Sequence, residues 1–233
     1  SMSARRDWLM QRLKERQAEF CEDTEVTACL FTWNVNGRDT PEKLPGLFGS
    51  SVPDVVLVGL QELVPANDTY SYYMAATTAV GDARERAWAE RIAEALGDYG
   101  TFELVQSVRM VGLLLLVYTR LPVTVEATQM PCGLMGVLGN KGAVAVRLRL
   151  HNSHLVVVNA HLAAHPEQLA RRNQDFADLW AGLEFPMAEE DVEVGETMAD
   201  RHEREVEKYL LQSDWRNETG RAVVDGATLF WMG

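Results

Sequence analysis

Four short stretches of this chain carry side chains able to act on a phosphate. Asn34 lies in Phe31-Thr-Trp-Asn-Val-Asn-Gly37, and Glu62 follows the apolar run from Val55 to Leu60. A carboxylate in that position must emerge into solvent or meet a cation. An amide and a carboxylate at the ends of two strands can supply hard oxygen ligands for Mg2+, which keeps several waters and takes one or two protein carboxylates. Read alone, Asn34 is equally an Asx-turn residue leaving a sheet, assisted by Gly37.

Gly139-Asn-Lys-Gly142 comes next. Its glycines allow the backbone to approach a ligand closely, and Asn140 can donate hydrogen bonds. Lys141 adds a point charge suited to phosphate. The blander reading is a hairpin turn with an exposed lysine. His161 and His165 follow a strand with a spacing of four. On a helix that spacing would put two imidazoles on one face, as in a zinc pair. No glutamate follows the first histidine and no third ligand is evident, so zinc is disfavoured. Arg109, in Ser107-Val-Arg-Met-Val-Gly112, reads either as a buried structural arginine or as a site cation. Leu134, Met135, Val137 and Leu138 lie among glycines 133, 136 and 139. They read as core, or as an exposed apolar loop able to dip into a membrane.

Strands must position these groups. Strand-like composition covers Val26 to Trp33, Asp54 to Leu60, Phe102 to Val108, Leu113 to Thr119, Val123 to Ala127, Ala143 to Leu150, Leu155 to Asn159 and a last one within Thr228 to Gly233. Helical patterns cover Ser1 to Phe20, Ala83 to Leu96 and Pro166 to Leu183. The first is expected to be amphipathic, with Trp8, Leu9, Arg12, Leu13 and Phe20 near helical spacing. The third is expected to bury Leu169, Phe176, Leu179, Trp180 and Leu183, with Arg171, Arg172, Asp175 and Asp178 mostly off that face. Strands joined by short turns, with helices only between some of them, fit two packed sheets covered by helices.

The length of 233 residues suits one large domain with a real core. The expected division is a helical lead-in at 1–25 and a catalytic domain at 26–233 with an acidic insertion at about 184–221. Pro186 to Gly220 holds 11 acidic and 4 basic residues, so most of the net charge of −12 is local. Nucleic-acid binders carry a basic footprint, and this acidity weighs against one. No apolar run reaches the length of a membrane span. The charged start of the chain argues against a signal peptide. The three cysteines have neither pairing nor metal spacing, which fits reduced thiols in a cytoplasmic protein.

Taken in order, Phe31 to Gly37, Val58 to Leu63, Gly133 to Leu148 and Val157 to His165 resemble the inositol polyphosphate 5-phosphatases, and Phe230 to Gly233 resembles the start of their signature loop. Asn159 to His165, followed by Arg171-Arg-Asn-Gln-Asp-Phe176, resembles especially the branch of the oculocerebrorenal syndrome protein. The resemblance implies an α+β, four-layer α/β/β/α sandwich of two mainly antiparallel sheets. It also implies Mg2+ held chiefly by Glu62 with Asn34 beside it, and His161 against the scissile phosphate. Asn140 and Lys141 would hold the inositol headgroup, with His165 and Arg109 as further substrate contacts. Leu134, Met135, Val137 and Leu138 would touch the membrane. The expected activity is Mg2+-dependent removal of the 5-phosphate from phosphoinositide lipids, by an enzyme that is cytoplasmic and peripheral to membranes. Soluble inositol polyphosphates are a second substrate class. A nuclease of the same superfamily and a non-catalytic phosphoinositide-binding module are the alternatives. In the family the final strand runs into an aspartate and an asparagine, with an aspartate–histidine pair later. Residues 1–233 do not contain them, so this stretch alone is expected to turn over poorly.

Overall fold

The computed structural model describes residues 2–20, 22–44, 46, 51–64, 79–132, 141–185 and 227–233. Asn140 and the apolar loop residues Leu134, Met135, Val137 and Leu138 lie outside these, as does nearly all of the acidic stretch.

Two four-stranded sheets face each other. The first contains β1 (Ala28–Asn34), β2 (Val55–Gln61), β3 (Glu103–Met110) and β4 (Leu113–Thr119), in the order β1-β2-β4-β3. The second contains β5 (Thr124–Pro131), β6 (Gly142–Leu150), β7 (Ser153–His161) and β8 (Ala227–Met232), in sequence order. The pairs β1·β2 and β7·β8 are parallel; the other pairs are antiparallel. Helix α1 spans Met2–Glu15, α2 spans Ala79–Leu96 and α3 spans Leu169–Gly182.

Strand periodicity explains the layers. In β2, Val55 and Leu57 face the second sheet, while Val56, Val58 and Leu60 face α2 with Trp88, Ile92 and Leu96. In β7, Leu155 and Val157 face the first sheet, while Val156, Val158 and Ala160 face α3 with Leu179. A strand covered on both faces has no polar side to show, which is why these segments read as continuous apolar runs rather than alternating ones. The result is the α/β/β/α sandwich. Each sheet is mixed, with its parallel pair at one edge.

Two helices depart from the sequence reading. Helix α1 leaves Trp8, Leu9 and Leu13 exposed, and Phe20 beyond it is exposed too. Arg12, within the same spacing, pairs with Glu15 at 2.8 Å and sits over the Trp8 ring. In α3, Leu169 and Phe176 are exposed, whereas Asp175 is buried at 1% exposure. No helix among the described residues is long and apolar enough to cross a membrane.

Candidate functional site

At one rim of the sandwich the ends of β1, β2, β6 and β7 converge. Residue Glu62 follows β2 directly and has φ of +54°, a left-handed conformation that non-glycine residues seldom adopt. The turn is held by main-chain bonds: Val35 N donates to Gln61 O at 2.9 Å and Gly37 N to Glu62 O at 2.7 Å. Strain of this kind persists where surroundings over-determine it, commonly at a functional site. The effect is to turn the Glu62 side chain off the sheet edge, partly exposed.

Asn34 pairs in register with Gln61 across β1 and β2. Its Oδ1 accepts from Asn36 N at 3.0 Å, and its Nδ2 donates to Glu62 Oε1 at 2.9 Å. Only the amide oxygen can receive the Asn36 N–H, so the nitrogen must face the carboxylate. Asn34 is thus both the Asx-turn residue and the partner that orients Glu62. An amide oxygen has two lone pairs and the Asn36 bond uses one, so a place for Asn34 beside a cation held by Glu62 is compatible with this geometry. Arg84 of α2 steadies the same turn, donating to Gly37 O at 2.7 Å and pairing with Asp39 at 2.8 Å.

Opposite stand Lys141 and His161. Gly142 pairs with His161 in register, so the lysine just before β6 lies beside the last residue of β7. Lys141 Nζ approaches His161 Nε2 to 2.7 Å, and His161 Nε2 lies 3.6 Å from Glu62 Oε1. Burial, then the Lys141 charge, lower the His161 pKa to about 4, with Glu62 opposing. Burial also lowers the Lys141 pKa, with Glu62 the first of the charges opposing it. The 3.6 Å approach is therefore a neutral imidazole beside a carboxylate, not an ion pair. His161 closes the strand, two residues beyond the Asn159 end expected from the sequence.

Helix α3 anchors both limbs that carry this pair. Arg171 donates to Cys132 O at 2.6 Å, and Cys132 N donates to Lys141 O at 2.9 Å. The Asp175 carboxylate pairs with Arg171 at 2.7 Å and accepts from Ala163 N at 3.1 Å. Arg172 donates to the carbonyls of Ala163 and His165. His165 itself has φ of +74° in the turn before α3, so the two histidines do not share a helix face. Among the described residues no three histidine, cysteine, aspartate or glutamate side chains group as a metal cluster. Arg109 is tied to Glu85 at 2.7 Å and Asp82 at 2.5 Å, both on α2. Its charge faces these two carboxylates, the arrangement expected of a structural arginine.

The groups the sequence reading missed are the buried polar ones: Gln61, Asn159 and Asp175. The first two had a signal, since each interrupts or ends an otherwise apolar strand.

The matched family model is that of the endonuclease/exonuclease/phosphatase family 2, over residues 31–233. The chain belongs to this family. It is 38% identical over 165 residues to a type II inositol 1,4,5-trisphosphate 5-phosphatase of Mus musculus, covering 68% of this chain and 16% of that protein. It is 27% identical over 206 residues to a synaptojanin of Caenorhabditis elegans, covering 78% of this chain and 18% of that one. Among solved structures it matches the inositol polyphosphate 5-phosphatase domain of a synaptojanin, in complex with inositol (1,4)-bisphosphate and calcium. That match has a TM-score of 0.69 at 23% identity, covering 97% of this chain and 56% of that one, and it shows the shared fold. The chain thus spans under a fifth of the length of these two curated relatives.

A divalent cation fits the donor set. Glu62 offers a hard, partly exposed carboxylate oriented by Asn34. One carboxylate suffices for a cation that draws its remaining ligands from water and phosphate oxygens.

Proposed function

We propose that the protein is a Mg2+-dependent 5-phosphatase acting on phosphoinositide lipids, with soluble inositol polyphosphates as a second substrate class. The observation that carries this reading is the convergence of Glu62, His161 and Lys141, from both sheets, on one rim. The names of relatives such as the type II inositol 5-phosphatases and synaptojanin support the substrate class.

Glu62 would hold the cation, which when bound supplies neutralisation of charge on the phosphate oxygens and the leaving alkoxide. Lys141 brings three N–H donors and a positive charge to phosphate oxygens. When Lys141 turns to phosphate, His161 Nε2 is released, and with the ring proton moved to that nitrogen it can donate to a phosphoryl oxygen. Asn34 keeps the Glu62 carboxylate aimed throughout. Residues 1–233 alone are proposed to turn over poorly, because the resemblance assigns water activation to residues this stretch does not contain. Membrane contact through Leu134, Met135, Val137 and Leu138 and a peripheral, cytoplasmic location belong to the same proposal. Nucleic acid is not a proposed partner, given the net charge of −12.

The test uses the complete protein with liposomes bearing a 5-phosphorylated phosphoinositide. Mg2+-stimulated phosphate release is expected, and Glu62→Ala should lower turnover by about 10² to 10³, as loss of other electrostatic stabilisers does. Near-normal turnover by the variant, or cleavage of DNA in place of phosphoinositide, overturns the reading.

A further inference from the structure

Glu62 belongs to one sheet and His161 to the other, so their spacing depends on whatever joins the sheets at this end. The joint is Asn159. Its side chain is fully buried, in an inter-sheet layer otherwise built of residues such as Leu57, Leu115, Val146 and Val157. Asn159 Nδ2 donates to the main-chain carbonyls of Leu60 at 3.1 Å and Leu114 at 3.0 Å, on neighbouring strands of the first sheet. Its Oδ1 accepts from Gln61 Nε2 at 2.5 Å, and Gln61 Nε2 also donates to Thr32 Oγ1 at 3.0 Å. One asparagine of β7 therefore ties itself to β2 and β4, and through Gln61 to β1, with both amide hydrogens and the oxygen used.

An amide buried here is costly unless its partners are all in place, and a fully satisfied network fixes one arrangement where aliphatic contacts tolerate several. Room for it comes from Gly59, where a Cβ would lie 2.8 Å from Asn159 Cγ. The location matters most. Gln61 immediately precedes Glu62, and Asn159 lies two residues before His161.

We infer that Asn159, with Gln61 as its partner, is a positioning residue of the site: it sets the separation of the Glu62 carboxylate from the His161 imidazole across the two sheets. Its consequence for catalysis rests on the phosphatase reading above; its geometric content does not.

Two variants of the complete protein separate positioning from stability. Asn159→Leu keeps the volume and removes every hydrogen bond of the clip. Val157→Ala, on the same strand and face, opens a small cavity and leaves the clip alone. A displacement near 1 Å can lower a rate by as much as about 10²-fold. Asn159→Leu is accordingly expected to lower kcat by about 10- to 100-fold with KM within about threefold. Val157→Ala should keep kcat within about twofold at a comparable loss of Tm. Gly59→Ala, which presses on Asn159, and Gln61→Leu should lower kcat in the same way, and they carry the test if Asn159→Leu does not fold. A crystal structure of Asn159→Leu or Gln61→Leu should show Glu62 and His161 further apart than 3.6 Å. An unchanged separation, or losses of kcat that follow Tm equally at Asn159 and Val157, overturns the inference. If the wild-type protein releases no phosphate, the functional reading fails, and the crystallographic separation still decides this one.

Discussion

Lys141 Nζ stands 2.7 Å from His161 Nε2, and since an ammonium can only donate, the imidazole receives through its lone pair. His161 therefore carries its proton on Nδ1 and is neutral. Burial and the adjacent positive charge both disfavour protonation, lowering the pKa to about 4. In the unfolded chain the group titrates near 6.5. Between those values the unfolded state binds more protons than the folded one, so stability falls as pH drops from about 6.5 through about 4. An NMR titration of the ring should show His161 neutral at pH 6 and half-protonated near 4. A midpoint close to 6.5 would remove the Lys141 contact and the burial that support it.

The same contact alters what is expected of Lys141. A residue binding only a non-reacting phosphate raises KM and spares kcat, because its interaction is equal in ground and transition states. Lys141 touches the imidazole that would meet the phosphoryl group, so it has a role at the reacting centre as well. Lys141→Met should raise KM, lower kcat by about tenfold or more, and raise the His161 pKa. If KM alone changes and the histidine titration stays put, Lys141 serves the headgroup only.

Asp175 tests the anchoring of the rim. Its carboxylate is buried, whereas its partner Arg171 is about half exposed. Removing Asp175 thus strands no buried charge, because Arg171 can return to water, but it leaves the Ala163 amide without its acceptor. Ala163 is only partly buried, so its unsatisfied amide costs an amount toward the low end of the about 1–3 kcal/mol of a fully buried donor. Asp175→Ala should lower stability by about that amount in chemical denaturation, and Asp175→Asn, which keeps an oxygen, by less. Equal losses in the two variants would mean that packing, not the hydrogen bond, is what Asp175 provides.

The apolar loop is tested on substrate form. Met135→Asp and Leu138→Asp should weaken turnover on liposomes by about tenfold, since a charge penalises insertion, while sparing a short-chain soluble phosphoinositide. Equal losses on both substrates with a lowered Tm would make these residues core.

Much of the fold could be read from the chain because it rests on local pattern. Leu113 to Thr119 was legible to the residue, since a strand buried on both faces leaves an unbroken apolar signature. Glu62 and Asn34 were legible as strand-end polar groups. The role of Asn34 was only half visible: which end of its amide faces Glu62 depends on Asn36 N, a main-chain group with no trace in composition. Asp175 was misplaced for a related reason. Helical spacing puts it beside exposed residues, and what buries it is the chain after β7, which comes from elsewhere in sequence. The two carboxylates of α2 that face Arg109 come from another part of the chain and leave no trace in its own stretch.

Gly142 carries the last prediction. Its φ is +149°, and a Cβ there would lie 2.3 Å from Met130 O and 2.8 Å from Pro131 Cα, both main-chain atoms of the paired strand β5. Neither can rotate aside as a side-chain end would, so an alanine must push β6 away from β5 or force the residue out of its conformation. A residue held in a disfavoured region costs about 1–3 kcal/mol, before any displacement is counted. Lys141 immediately precedes this position, and its carbonyl is bonded to Cys132 N at 2.9 Å, so movement here carries the lysine with it. Gly142→Ala should therefore lower Tm and also loosen the Lys141–His161 contact, seen as a rise in the His161 pKa above about 4. A drop in Tm with the histidine titration unchanged would show that Gly142 serves the strand pairing alone.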